Sequence, residues 1–291
     1  MSRDSRELAQ IAAAEAMKAR KRAQYSLHLP LNVFDLCERL GVSVFFQDLP
    51  SMEGIYLPDA QPRPVIIVSS LRPAGRKTMT CGHELGHHVF KHGTQLDELI
   101  ENASEPGRCD PDEFQADVFS ACLQMPKIAV AHALTSRKLD PEKCSPESVF
   151  ALSTYFAVSY GAFVTHLERT LNLIGTARAS ELGARRPKDL REALLGEPCP
   201  QNLFVVDLGW EGRAVDVEVG DSVLLPSNVV LEGGSIQVES ATNGRTVICA
   251  TAPGIARVCH SSGWSAFVRV MRKNYVGRAP FRFDEEADDG V

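Results

Sequence analysis

His83-Glu84-Leu85-Gly86-His87 lies inside an apolar-periodic stretch that should be helical, starting at Pro73 and running to about His92, with Gly93 as its stop. Positions four apart stack on one helix face, so His83 and His87 can offer two imidazole nitrogens to one metal ion. Glu84 sits one residue round from His83, beside the open coordination position, where a general base for an attacking water is needed. Met79, Leu85, Val89 and Phe90 recur at roughly helical spacing, so this helix should be packed rather than exposed.

A catalytic zinc takes three protein ligands and keeps a fourth position for water, so a third ligand must follow. Glu113 is the best candidate, 26 residues after His87 on the next predicted helix, about Pro111–Met125. Glu113-Phe114-Gln115-Ala116-Asp117 presents two carboxylates four apart on one face, beside an apolar face of Phe114, Val118, Ala121, Cys122 and Met125. Asp117 suits a supporting role, accepting the remaining ring N–H of a ligand histidine and fixing its tautomer. Asp110 and Asp112 compete as third ligands. Asp110 suits a helix N-cap ahead of Pro111, and Asp112 should point about a third of a turn away from Glu113. Ligand type favours zinc, while manganese or iron also suits two histidines and one carboxylate. His88 and His92 repeat the four-residue spacing but lack an acid placed like Glu84, and are read as surface or core-edge histidines. A donor for the oxyanion stays open among Tyr155, Tyr160, His166, His88 and His92.

The remaining chain frames this site. At 291 residues it is long enough for two or three units, and 44% hydrophobic with 23% charged residues is ordinary for a globular protein. A net charge of −6 argues against a general nucleic-acid binder. No apolar run reaches membrane-spanning length, and the start, Met1 to Leu8, is charged and lacks the apolar core of a secretion signal. Cytoplasmic residence is the expectation, with the eight scattered cysteines as reduced thiols.

Periodicity divides the chain into an α+β protein. Residues 1–125 hold an Ala-rich helix (5–24) with a basic end at Lys18, Arg20, Lys21 and Arg22, expected to be solvated. A short helix ending at Gly41, strands at 42–46, 54–57 and 64–69, and the two site helices follow. A polar loop joins the site helices from Gly93 to Asp110. Residues 126–175 form a helical section, 176–199 a charged linker, and 200–283 a β-rich domain of seven short strands, a small barrel or sandwich. Asn243-Gly244 reads as a type I′ hairpin turn. The acidic tail 284–291 is expected to be disordered.

Thr80-Cys81-Gly82-His83-Glu84-Leu85-Gly86-His87, the acidic helix Glu113-x-x-Ala116-Asp117 and its closing Gln124-Met125-Pro126 resemble the ImmA/IrrE family of zinc metallopeptidases. The resemblance extends upstream to the Leu40-Gly41-Val42 turn and covers about residues 10–175. It implies a minimal zincin-like domain with a small sheet, zinc held by His83, His87 and Glu113, and Glu84 as catalytic base. It also implies a narrow choice of protein substrate: helix-turn-helix repressors of mobile-element, DNA-damage or stress genes, relieved by cleavage. Phe156-Ala157-Val158-Ser159 has the sequence of a helix-turn-helix corner, with alanine where glycine is common. The helix after it is weakly basic, which favours packing or substrate docking over direct nucleic-acid binding. Two other readings stay open: a non-proteolytic regulator that binds and inactivates a repressor, and a DNA-binding regulator resting on that corner alone.

Overall fold

The β-branched run Val65-Ile66-Ile67-Val68 forms the spine of the first sheet. The computed structural model describes residues 3–93, 95–98, 110–199 and 201–284. The chain divides into two compact units, one of residues 1–132, 156–158 and 276–279, the other of 133–155, 159–275 and 280–291. Both α-helices and three small sheets are present, an α+β chain with a β-rich C-terminal region.

In the first unit, α1 (Arg3–Arg22) leads to α2 (Val33–Arg39), whose N-cap Asn32 accepts from the Asp35 amide. Gly41, at φ +83°, turns the chain into β1 (Ser43–Gln47). Strands β2 (Met52–Leu57) and β3 (Val65–Ser69) precede α3 (Ala74–Phe90), then come β4 (Gln95–Glu98) and α4 (Pro111–Gln124). The spine strand β3 pairs in parallel with β1 and antiparallel with β2. Beyond the three expected strands the sheet gains two edges: β4 beside β2, and the chain-terminal pair Gly277–Arg278 beside β1. Helix α3 lies on β2, β3 and α4, and α1 packs on α4. The polar loop expected over 93–110 therefore contains a strand, while its residues 99–109 lie outside those described, as does the acidic tail from 285.

Arg20 corrects the expectation of a solvated basic end. Its guanidinium is fully buried and donates to the Leu123, Ser26 and Leu29 carbonyls. Leu123 lies in the last turn of α4, where main-chain carbonyls lack helical partners, so the cation satisfies groups that burial would otherwise leave costly.

Helix α5 (Lys127–Ser136) leads into α6 (Pro146–Tyr155) and α7 (Tyr160–Thr165), which runs on through a π turn at His166–Thr170. The last two helices bend by 101°, and Ala157 takes φ +54° at the corner. The second of them exposes Gly161, Thr165, Arg169 and Thr170, a single cation with which to meet phosphate. No single helix among the described residues is long and apolar enough to cross a membrane.

The stretch expected as a linker is instead helical, α8 (Thr176–Gly183) and α9 (Pro187–Leu195). Each buries only two side chains, Ala179 and Leu182 in one, Leu190 and Leu195 in the other. So thin an apolar stripe is easily hidden among charges in the sequence.

Strands β5 (Leu203–Val205), β6 (Ala214–Glu218), β7 (Ser222–Pro226), β8 (Val229–Glu232), β9 (Ile236–Thr242), β10 (Arg245–Ala250), β11 (Gly254–His260) and β12 (Ser265–Met271) follow, with Gly277–Arg278 as β13. They form two four-stranded sheets, β5-β7-β10-β9 and β6-β12-β11-β8. Asn243 and Gly244, at φ +47° and +69°, make the expected hairpin between β9 and β10. Bidentate Arg137–Asp207 contacts at 2.7 and 2.8 Å, with Arg137 over the Tyr155 ring at 4.3 Å, fasten a helix end to the loop after β5. The seven described cysteines outside residues 99–109 are free thiols.

Candidate metal centre

Two glycines decide how closely the site helices approach. A Cβ on Gly86 would meet the Ala116 Cα at 3.0 Å and its carbonyl oxygen at 3.3 Å. A Cβ on Gly82 would meet the Ser120 Oγ at 2.6 Å. Small residues four apart on α3 thus face small residues four apart on α4, so the two backbones come close at the crossing. The Ser120 hydroxyl then donates to the Met79 carbonyl, and the Gln124 amide donates to that of Thr78. This crossing brings the carboxylates of α4 within reach of the histidines of α3.

The result is a triangle. His83 Nε2 lies 2.9 Å from His87 Nε2 and 3.1 Å from a Glu113 oxygen, and His87 Nε2 lies 3.5 Å from the other Glu113 oxygen. These donors lie within 4.8 Å of one another and can hold a metal ion. Tetrahedral ligands at about 2.0–2.1 Å stand roughly 3.4 Å apart, so the triangle needs only a few tenths of an ångström of adjustment. His87 is completely buried, His83 nearly so, and Glu113 is about half exposed, which opens the cluster toward solvent on the α4 side.

Electrostatics follow from the crowding. Burial pulls the His83 pKa down, but hydrogen bonds to Asp117 and Glu113 outweigh it and carry it to about 10. Burial and then the charge of His83 press His87 down to about 4. The His83 hydrogen bond lowers Glu113 against the opposing effect of burial.

Glu84 is fully buried, and its charge is felt at His83. Strand β2 passes over it at Gly54, where a Cβ would stand 2.6 Å from Thr80 Cγ2, 3.1 Å from Glu84 Oε1 and 3.2 Å from the Ile67 carbonyl. A side chain here would drive the sheet off the acid.

Around the triangle, Asp117 Oδ1 accepts from His83 Nδ1 at 2.9 Å. Asp110 caps α4 by accepting from the Asp112 amide, and Asp112 Oδ1 lies 3.5 Å from His92 Nε2. His88 and His92 do not share a helix face, because α3 stops at Phe90 and Lys91 takes the left-handed conformation (φ +61°, ψ +43°). His88 Nδ1 meets the Tyr56 hydroxyl at 2.8 Å, lining a cavity of about 570 Å³ with Lys18 and Arg22. Burial lowers the His88 pKa, helped by Arg22, and burial raises that of Tyr56, helped by Asp59. His92 folds back onto His87, a placement that spacing on an unbroken helix does not suggest.

Of the other oxyanion candidates, Tyr155 packs edge-on against Trp210, the Tyr160 hydroxyl donates to the Leu182 carbonyl, and His166 is buried. All three belong to the second unit.

No curated protein matches the chain. Among solved structures, a Mycobacterium tuberculosis transcriptional regulator is 13% identical over 57% of this chain and 52% of its own, with a TM-score of 0.38. This chain therefore spans about half the length of that structure. Residues 37–168 match the model of the IrrE N-terminal-like domain, a peptidase family. The matched segment contains the paired histidines of α3 and the acidic turn of α4, the residues that carry the resemblance to the ImmA/IrrE family.

Proposed function

We propose that the chain is a cytoplasmic zinc-dependent endopeptidase of zincin-like architecture that cleaves a regulatory protein, a helix-turn-helix repressor, and so relieves repression. The observation that carries this reading is the juxtaposition of the His83–His87–Glu113 triangle with the buried Glu84, held between α3 and β2. The family of residues 37–168 supports peptide-bond hydrolysis.

In this mechanism His83, His87 and Glu113 hold the ion, and Glu84 handles the proton. A zinc ion bound there would supply Lewis-acid polarisation of the scissile carbonyl and lower the pKa of water to about 7. Glu84 accepts the proton of the attacking water and delivers it to the leaving amine, so the carboxylate returns to its starting state. Asp117 keeps His83 turned toward the ion through the Nδ1 hydrogen bond. The described sheet ends at β4 on this side, and an extended substrate adds to that edge through main-chain hydrogen bonds.

Glu84→Gln tests the reading: it should retain bound metal and lose cleavage by at least about a hundredfold. Comparing new protein N-termini in cells expressing wild type or the variant, before and after DNA damage, identifies the substrate. Undiminished cleavage by Glu84→Gln would remove Glu84 from the mechanism.

A further inference from the structure

We propose that His92 is the positioning residue for His87, the partner that fixes which His87 nitrogen faces the metal ion. The inference rests on the reading of His83, His87 and Glu113 as metal ligands, and it assigns His87 a support of a different chemical kind from that of His83.

The need for such a partner follows from the imidazole itself. A neutral histidine that gives one ring nitrogen to a metal carries its proton on the other. In a buried site that N–H needs an acceptor, or its desolvation weighs against the bound orientation. His87 turns Nε2 toward the triangle, so its proton belongs on Nδ1. The atom facing Nδ1 at 2.9 Å is His92 Nδ1. His92 then accepts there and carries its own proton on Nε2, which faces Asp112 Oδ1 at 3.5 Å. The negative charge of Asp112 favours that tautomer.

The backbone is arranged to deliver this contact. The Lys91 amide donates to the His88 carbonyl and the His92 amide to the His87 carbonyl, with Lys91 left-handed between them. This is the Schellman way of ending a helix, and it reverses the chain within two residues. His92 is thereby returned to the residue five before it. Its ring stacks on Phe90 at 5.5 Å and 20°, and Phe90 meets Phe119 of α4 edge-on at 5.8 Å. The stack fixes the imidazole plane, and the two imidazoles meet at 69° with their Nδ1 atoms at hydrogen-bond distance. With a side chain only 8% exposed, His92 meets little competition from water for that role.

His83 gets the equivalent service from Asp117, a carboxylate whose side chain is 75% exposed. One side chain is therefore oriented by an anion at the surface and the other by a buried ring.

The test is zinc affinity, measured on the full chain by competition with a chromophoric chelator, for His92→Phe and His92→Asn. Phenylalanine keeps the ring and the stack but cannot accept a hydrogen bond, whereas the asparagine carbonyl can. We expect His92→Phe to weaken zinc on the order of 10–100-fold and His92→Asn to recover most of it. Cobalt substitution adds a second readout, since a reoriented His87 changes the visible ligand-field bands. Wild-type affinity and bands in His92→Phe would overturn the proposal, as would an equal loss in both variants, which would mark a packing role. Failure of the wild type to bind zinc or cobalt would also overturn it. None of these readouts involves cleavage, so an inactive enzyme that binds metal as described would sink the peptidase reading and leave His92 standing.

Discussion

The helix crossing at the candidate metal centre and the two sheets of the β-rich region are both well packed, but they achieve it in opposite ways. At the crossing and on the strand over it, order depends on side chains that are missing: Gly82, Gly86 and Gly54 each leave a gap that a neighbouring backbone or side chain fills. In the sheets, order depends on side chains that are present and interchangeable, a run of Val, Leu and Ile such as Val223, Leu224 and Leu225, all fully buried. Close approach tolerates no added atom, whereas a pattern of apolar residues tolerates exchange at constant volume. The metal centre should therefore be brittle and the sheets forgiving.

The largest effect that follows is at Gly86. Gly86→Leu forces a branched side chain against the Ala116 backbone, which has no rotamer with which to yield. It should cost about 3 kcal/mol or more in denaturant unfolding and abolish metal binding. A folded, metal-binding Gly86→Leu protein would break the comparison outright.

An intermediate effect is expected where the β-rich region departs from its own rule. Arg137 is a specific, poorly replaceable group, paired twice with Asp207 and stacked on Tyr155, with side-chain exposures of 13% and 27% across the pair. Arg137→Met leaves Asp207 without that partner and should cost about 2 kcal/mol, leaving metal affinity unchanged. Thermal unfolding together with chelator competition separates the two quantities. A loss of metal affinity in this variant would show that brittleness is not confined to the crossing.

The smallest effect has the opposite sign. Lys91 holds a left-handed conformation that glycine adopts without cost, so Lys91→Gly should stabilise by about 0.5–1 kcal/mol while keeping the His92 contact. An equilibrium unfolding midpoint that falls instead would mean that the turn draws on the lysine side chain.

The same contrast explains what could be read from the sequence. His83, His87, Glu113 and Asp117 stand out because metal-ligating residue types at a four-residue spacing have one geometric meaning on a helix. The gathering of His83, His87 and Glu113 around one point needed only the further fact that α4 crosses α3 at Gly86. His92 was hidden because its position depends on a left-handed lysine, and lysine does not announce that conformation as glycine would. Strand β8 went unread for a related reason: it is four residues long, alternately exposed, with Val230 63% exposed on the sheet edge. Helices α8 and α9 were lost because two buried residues apiece give too little periodicity to register. Arg20 could not be told from its solvated neighbours, since one of the carbonyls that hold it, that of Leu123, lies 103 residues away. The β-rich region was legible as strands and hairpins but carries no comparably constrained group that names a chemistry.

One pairing has a consequence in time. β1 finds its outer neighbour in Gly277–Arg278, beyond the whole β-rich region in sequence. At a synthesis rate of about 5–20 residues per second, that neighbour emerges roughly 10–50 s after β1 itself. Throughout that interval the nascent sheet carries an open flank, available to a chaperone or to another growing chain. The unit that holds the candidate metal centre is therefore completed only after the β-rich region has been synthesised.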